Sequence, residues 1–130
     1  MESINDTALL DVLEQLPSLC PAFAGAVVAT RDGLVLAAVG DYGGDTPAAC
    51  AASLGVHLQD DLQPLVAAGT AANPKEVLIF GDGTLWYLSR LVAGHLLLLN
   101  SRQTLHAGAV RLAGQTTAMR LNRWLSPSPT

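Results

Sequence analysis

The sequence predicts an α+β domain in the order α–β–β–α–β–β–β–α, with five strands in one antiparallel sheet and helices covering its faces. Three observations predict it. Short apolar runs are joined by Asp-Gly and Gly turns, and hairpin connections set neighbouring strands antiparallel. Apolar residues recur at helical spacing near both ends and in the middle of the chain. The chain has 130 residues, a length at which one domain buries roughly two thirds of its unfolded surface and needs no disulfide or metal to fold.

Asp6 or Thr7 is a candidate cap for a first helix, since a side-chain oxygen there accepts from a free N–H of the first turn. Leu9, Leu10, Leu13 and Leu16 follow at helical spacing, Pro17 is expected to end the helix, and Ser18 to Pro21 to connect onward. Ala24 to Thr30 and Leu34 to Val39 read as strands around Arg31-Asp32-Gly33, where Asp-Gly suits a type I′ turn with positive φ at both central residues. Asp41-Tyr42-Gly43-Gly44 reads as a loop. Asp45 or Thr46 would cap the central helix, with Pro47 in its first turn; the helix is expected to reach Ala68 and stop at Gly69. Pro64 removes one helical bond and should kink or shorten that helix.

Thr70 to Pro74 is a loop, Val77 to Phe80 a strand, Asp82-Gly83 a second hairpin turn, and Leu85 to Leu91 the next strand. Gly94 marks a third turn before the last strand, His95 to Asn100. A final helix is expected from Thr104 to Trp124, with Val110, Thr117, Leu121, Trp124 and Leu125 on its inner face. The domain is expected to span residues 1–125, and the Ser-Pro tail, residues 126–130, to be disordered.

Half of the residues are hydrophobic and 14% are charged, against about 25% in an average soluble domain. Either Ala, Gly and Thr dominate the surface, or part of it is covered by another subunit. The net charge of −4, with one lysine, Lys75, and scattered Arg102, Arg111, Arg120 and Arg123, argues against nucleic-acid binding. Cys20 and Cys50 form neither a metal motif nor a disulfide framework. No basic-then-apolar leader follows Met1, and the longest apolar run, Leu96 to Leu99, is far too short to cross a bilayer. A cytoplasmic location is the expectation.

The central helix carries the functional argument. At about 100° per residue, Cys50, Ala51, Leu54, Leu58, Leu62 and Leu65 gather into one stripe, expected to face the sheet. Ala49, Ala52 and Val56 fall on nearly the opposite side, and only Ser53, His57, Asp60 and Asp61 form a polar strip. A helix apolar around most of its circumference is buried on more than one side. The small residues Ala48, Ala49, Ala52 and Gly55 would let a second copy approach closely. Alanine is also simply a good helix former, so the wheel leaves a partnerless helix open. The strand Val77 to Phe80 carries little charge and, at a sheet edge, would pair with its symmetry mate. The expected dimer interface is Ala48, Ala49, Ala52, Val56, Gln59, Gln63, Val77 and Ile79; the expected core is Leu54, Leu58, Leu62, Leu65, Val110, Leu121 and Trp124.

The run Gly25-Ala26-Val27-Val28-Ala29-Thr30-Arg31-Asp32-Gly33-Leu34-Val35-Leu36-Ala37 resembles the first hairpin of roadblock/dynein light chain domains. The Ala-rich helix Pro47 to Val66 is similar to that family's central helix. Glu76 to Gly81, Leu85 to Leu88 and Gly94 to Leu99 resemble its later strands. The similarity extends from Asp6 to Trp124 and rests on the order of parts; the bacterial members it resembles include gliding-motility regulators. It implies a five-stranded sheet with one long helix on one face and the two terminal helices on the other. It also implies homodimers through the central helix and third strand, and binding of a small Ras-like GTPase as scaffold, activator or exchange regulator.

The chemistry of an enzyme is missing from the sequence pattern. His57, His95 and His106 are isolated and make no metal spacing. No phosphate-binding G-x-x-x-x-G-K-[ST] loop occurs. Gly81-Asp82-Gly83 is a turn, and Gly40 to Gly44 lacks the strand–loop–helix spacing of a dinucleotide site. Asp60 and Asp61 point about 100° apart on a helix. Ser53 has no motif-placed base. The expectation is a non-enzyme with no cofactor. Arg31 and Arg90 are candidates for an arginine finger toward a GTPase, although repositioning of the GTPase's own residues is the expected route. Two other readings stay open. One is a PAS- or profilin-like small-ligand sensor, for which two each of Trp, Tyr and Phe supply few pocket-lining rings. The other is a structural light chain of a larger complex.

Overall fold

A computed structural model describes residues 6–125. The expected tail, residues 126–130, lies outside the described residues, as does the segment 1–5. The elements are α1 (Asp6–Leu13), α2 (Leu16–Leu19), β1 (Phe23–Ala29), β2 (Val35–Gly40), α3 (Asp45–Ala67), β3 (Glu76–Gly81), β4 (Thr84–Arg90), a 3₁₀ turn (Val92–Gly94), β5 (Leu96–Ser101) and α4 (Ala107–Leu125). The five strands form one antiparallel sheet in the order β2-β1-β5-β4-β3. One face is covered by α1, α2 and α4, the other by α3 alone.

Local chemistry moved several boundaries. Pro17 does not close the first helix. It sits in the first turn of α2, where a missing N–H costs nothing, and Leu16 beside it is fully buried. The central helix is preceded by Gly44 at φ 92°, with no side-chain cap bond; Asp45 lies in the first turn instead, where its charge suits the helix dipole. Pro64 does not shorten α3, which continues to Ala67. Proline this near the end forfeits only one bond, and its own carbonyl accepts from Ala68 N–H at 3.1 Å. α4 starts three residues later than expected, after Gln103 Oε1 accepts the N–H groups of Leu105 and His106.

The first hairpin is not closed by a type I′ turn. Gly33 has φ 90°, but Asp32 is not among the residues with positive φ. Thr30 pairs with Leu34 across a three-residue loop, and Gly33 N–H bonds back to Thr30 O, the pattern of a type I turn ending in a left-handed residue. Two consecutive positive φ values occur instead at Ala93 (59°) and Gly94 (79°), with His95 N–H bonded to Val92 O. Ala93 thus holds a conformation that alanine adopts only at a cost of order 1–3 kcal/mol.

The larger core lies between the sheet and α1, α2 and α4. Leu9, Leu13, Leu16, Val28, Leu85, Tyr87, Leu97, Leu99, Val110 and Leu121 are all essentially fully buried there. The buried Tyr87 hydroxyl donates to Glu76 Oε2 at 2.5 Å, and Glu76 also accepts from Arg111 and Gln115 of α4, which ties that helix to β3. Burial alone would raise the Glu76 pKa; these hydrogen bonds and the Arg111 charge outweigh it and hold the carboxyl below its ordinary value. Cys20, also buried in this core, has its thiol pushed up to about 11 by burial.

Candidate interaction surface

On the opposite face the sheet supplies Val27, Ala29, Leu88, Leu96 and Leu98, and the helix that meets them contributes only small residues. The buried positions of α3 are Ala48, Ala51, Ala52 and Gly55, all within its first half. Gly55 shows why. A Cβ added there would lie 2.9 Å from Leu96 Cδ2, so a side chain fits there only if the buried Leu96 gives way. Sheet contact selects for space here, and the Ala/Gly positions win over the leucines.

This overturns the expected rotation of α3. Ala48 and Ala52, expected at a dimer interface, are buried against the sheet. Leu54, Leu58, Leu62 and Leu65, expected in the core, are not in it: Leu54 is 38% exposed, Leu65 is 50% exposed, and Leu58 and Leu62 are half-buried. Cys50, expected to face the sheet, is exposed. Of the other expected interface positions, Ala49, Val56 and Gln63 are exposed and Gln59, Val77 and Ile79 are half-buried. Trp124 is a further correction. It is 50% exposed, bordering a groove against α1, while its neighbour Leu125 takes the buried place. Val110 and Leu121 are fully buried.

β3 is an edge of the sheet. Val77 packs toward the α3 side, and Ile79 meets α3 across an apolar groove of about 450 Å³ lined by Tyr42, Thr46, Pro47, Cys50, Leu54, Trp86 and Leu98. Trp86 Nε1–H donates to the Tyr42 hydroxyl at 2.7 Å, which fixes both rings in the groove wall; burial raises the Tyr42 pKa. Tyr42 and Trp86 were not singled out by the sequence. Their separation of 44 positions hides the pair, and only the alternation of Trp86 and Leu88 along a strand hints at the face they share. The groove, the leucine side of α3 and the free edge of β3 are continuous: Leu54 and Ile79 border the same cavity.

On its other flank α3 borders a second cavity of about 410 Å³, lined by Arg31 and Asp32 from the first hairpin, Gln59 and Asp60 from α3, and Arg90, Gly94 and Leu96. The two arginines singled out in sequence therefore meet at one cavity. Among the described residues neither makes an ion pair; Arg90 donates to Pro74 O at 3.1 Å. His57, His95 and His106 are not brought together, and among the described residues no group of His, Cys, Asp or Glu could hold a metal ion. No described helix is long and apolar enough to cross a membrane.

No protein-family model matches the sequence, and no curated protein matches it. Solved structures do match. MglB from Myxococcus xanthus superposes with a TM-score of 0.79 at 14% identity, covering 100% of this chain and 98% of the other. An MglB with a tetrameric arrangement gives 0.78 at 24% identity, covering 95% and 91%. A Roadblock/LC7 domain from Streptomyces avermitilis gives 0.71 at 20% identity, covering 89% and 96%. The architecture is the roadblock/LC7 fold in its MglB-like form.

Proposed function

We propose that the chain is a non-enzymatic, cytoplasmic adaptor or regulator that self-associates through the leucine side of α3 and the edge of β3 and binds a small Ras-like GTPase, as scaffold or as co-regulator of GTP hydrolysis or exchange. The observation that carries this reading is the half-covered sheet: α3 spends its small residues on the sheet and leaves Leu54, Leu65 and the β3 edge uncovered. Edge-to-edge pairing of β3 with a second copy would satisfy its free backbone groups and close the apolar groove in one step. The likeness to MglB, one of whose structures is a tetrameric arrangement, supports self-association. The family resemblance supports the GTPase.

The test is a pull-down of small Ras-like GTPases in both nucleotide states, followed by single-turnover GTP hydrolysis with and without the chain. Binding in one nucleotide state supports the reading, and a changed hydrolysis rate selects the regulatory form. No retention of either state sinks the GTPase partner. The groove walled by Tyr42 and Trp86 favours one competing reading, a small-ligand sensor. In that case the chain would remain single in solution, with the groove open to a ligand.

A further inference from the structure

α4 buries one side against the sheet, and the side it turns outward is apolar as well. Leu112 and Met119 stand there, 64% and 66% exposed, and Leu105, 85% exposed, stands in the turn just before the helix. All three are more exposed than Leu54 or Leu65 on α3. They recur every seven residues, a repeat that drifts only about 20° around a helix each time. Ala109, exposed, falls between the first two, and Thr116, half-buried, between the last two. A Cβ added at Gly108 would meet nothing within 4 Å. The outward side is thus a heptad seam with small residues between its large ones, a pattern that admits a second helix at close range.

The charge around this seam is one-sided. All eleven acidic residues lie at or before Asp82, and five of the seven basic residues lie after it, in a chain of net charge −4. Three of those five, Arg111, Arg120 and Arg123, are on α4, which carries no carboxylate. Arg111 is paired with Glu76. Arg120 bonds to the neutral Gln15 amide. Neither Arg120 nor Arg123 has an ion-pair partner among the described residues, and Asp11 and Glu14 of the neighbouring α1 segment supply none. Arg123, exposed, continues the seam one turn beyond Met119.

We infer that the outward side of α4 docks an acidic amphipathic helix of a partner protein, packed along Leu105, Leu112 and Met119 with its carboxylates toward Arg120 and Arg123. A second copy's α4 would bring arginine against arginine. A lipid surface takes a broad apolar face, whereas this seam is one residue wide. A partner helix with carboxylates beside its own apolar seam matches both the spacing and the charge. The surface shares no residue with the α3 and β3 surface proposed above.

The test is fluorescence anisotropy of a labelled peptide of about three heptads, Leu at a and d and Glu at e and g, titrated with the full chain. A peptide with Lys in place of Glu, and vesicles of phosphatidylcholine with phosphatidylserine, are run in parallel. The expected result is saturable binding of the Glu peptide, weakened by salt, with neither the Lys peptide nor the vesicles bound. Leu112→Glu should weaken that binding at least about tenfold, through a lost apolar contact and a like charge, and Arg123→Gln about two- to fivefold. Both positions are exposed, so each variant should keep the parent's far-UV spectrum. No binding of the Glu peptide, equal binding of the Lys peptide, preference for the vesicles, or unchanged affinity in Leu112→Glu would each overturn the assignment. So would a sedimenting mass of the chain alone that falls in Leu112→Glu, since a second copy would then hold the seam. None of these outcomes touches the GTPase pull-down.

Discussion

The two faces of the sheet are finished to different degrees. The face under α1, α2 and α4 is closed by large side chains from every element that touches it, and α4 alone buries seven residues. The face under α3 is closed only along half a helix, by three alanines and a glycine. The α3 face is left with three apolar side chains of its own helix, Leu54, Val56 and Leu65, exposed around its rim. Burial of a leucine stabilises by roughly 1.5–3 kcal/mol, so the second face holds stabilisation that a single copy does not collect. The difference teaches that, on the proposed reading, folding and association fall on opposite sides of one sheet.

The sharpest way to break the comparison is to truncate one leucine on each face. Leu121→Ala should destabilise the fold by about 3 kcal/mol, because a fully buried side chain leaves a cavity. Leu65→Ala, measured in urea at concentrations that keep chains single, should stay within about 0.5 kcal/mol of the parent. Equal losses would erase the distinction. Next in size is Gly55→Val, whose new Cβ meets Leu96; it should cost about 1–3 kcal/mol by lifting α3, seen as a lower urea midpoint.

The sequence made the layers legible and the rotation of α3 illegible, for one physical reason. Turn residues and period-2 runs mark strands wherever they occur, so all five strands fell within a residue or two of their places. A helix apolar on two sides does not announce which side meets the sheet. Hydrophobicity ranks Leu54, Leu58, Leu62 and Leu65 above Ala48, Ala51, Ala52 and Gly55, but close contact with Leu96 admits only the smaller set. The small residues Ala48, Ala49, Ala52 and Gly55 read in sequence as the mark of a partner, but Ala48, Ala52 and Gly55 meet the sheet together with Ala51, and only Ala49 is exposed. The edge position of β3 could be stated in sequence only as a condition, because strand order depends on which strands pair across long connections. The Tyr42–Trp86 pair arises from the same long-range pairing and leaves no local trace.

A smaller effect sharpens the closed face. Glu76 has a lowered pKa in the folded chain, so its clamp on α4 contributes stability that is complete above its ordinary value of 4.5 and is lost as pH falls through the folded value. Thermal melts between pH 6 and pH 3 should therefore show a shallower acid decline in Glu76→Gln than in the parent, and identical slopes would mean that the clamp does not couple to folding. Smallest of all, Thr117 is buried in α4 and its hydroxyl has no partner among the described residues. Thr117→Val should raise stability by about 1 kcal/mol in urea titration, since it removes an unpaired polar atom at nearly constant shape.

Sedimentation equilibrium of the full chain across a wide concentration range puts the unfinished face to trial. Twice the mass of one chain, falling to a single mass in Leu65→Asp with the fold retained, is the result this account predicts. A parent protein that sediments as one copy at the highest concentrations reached would contradict it.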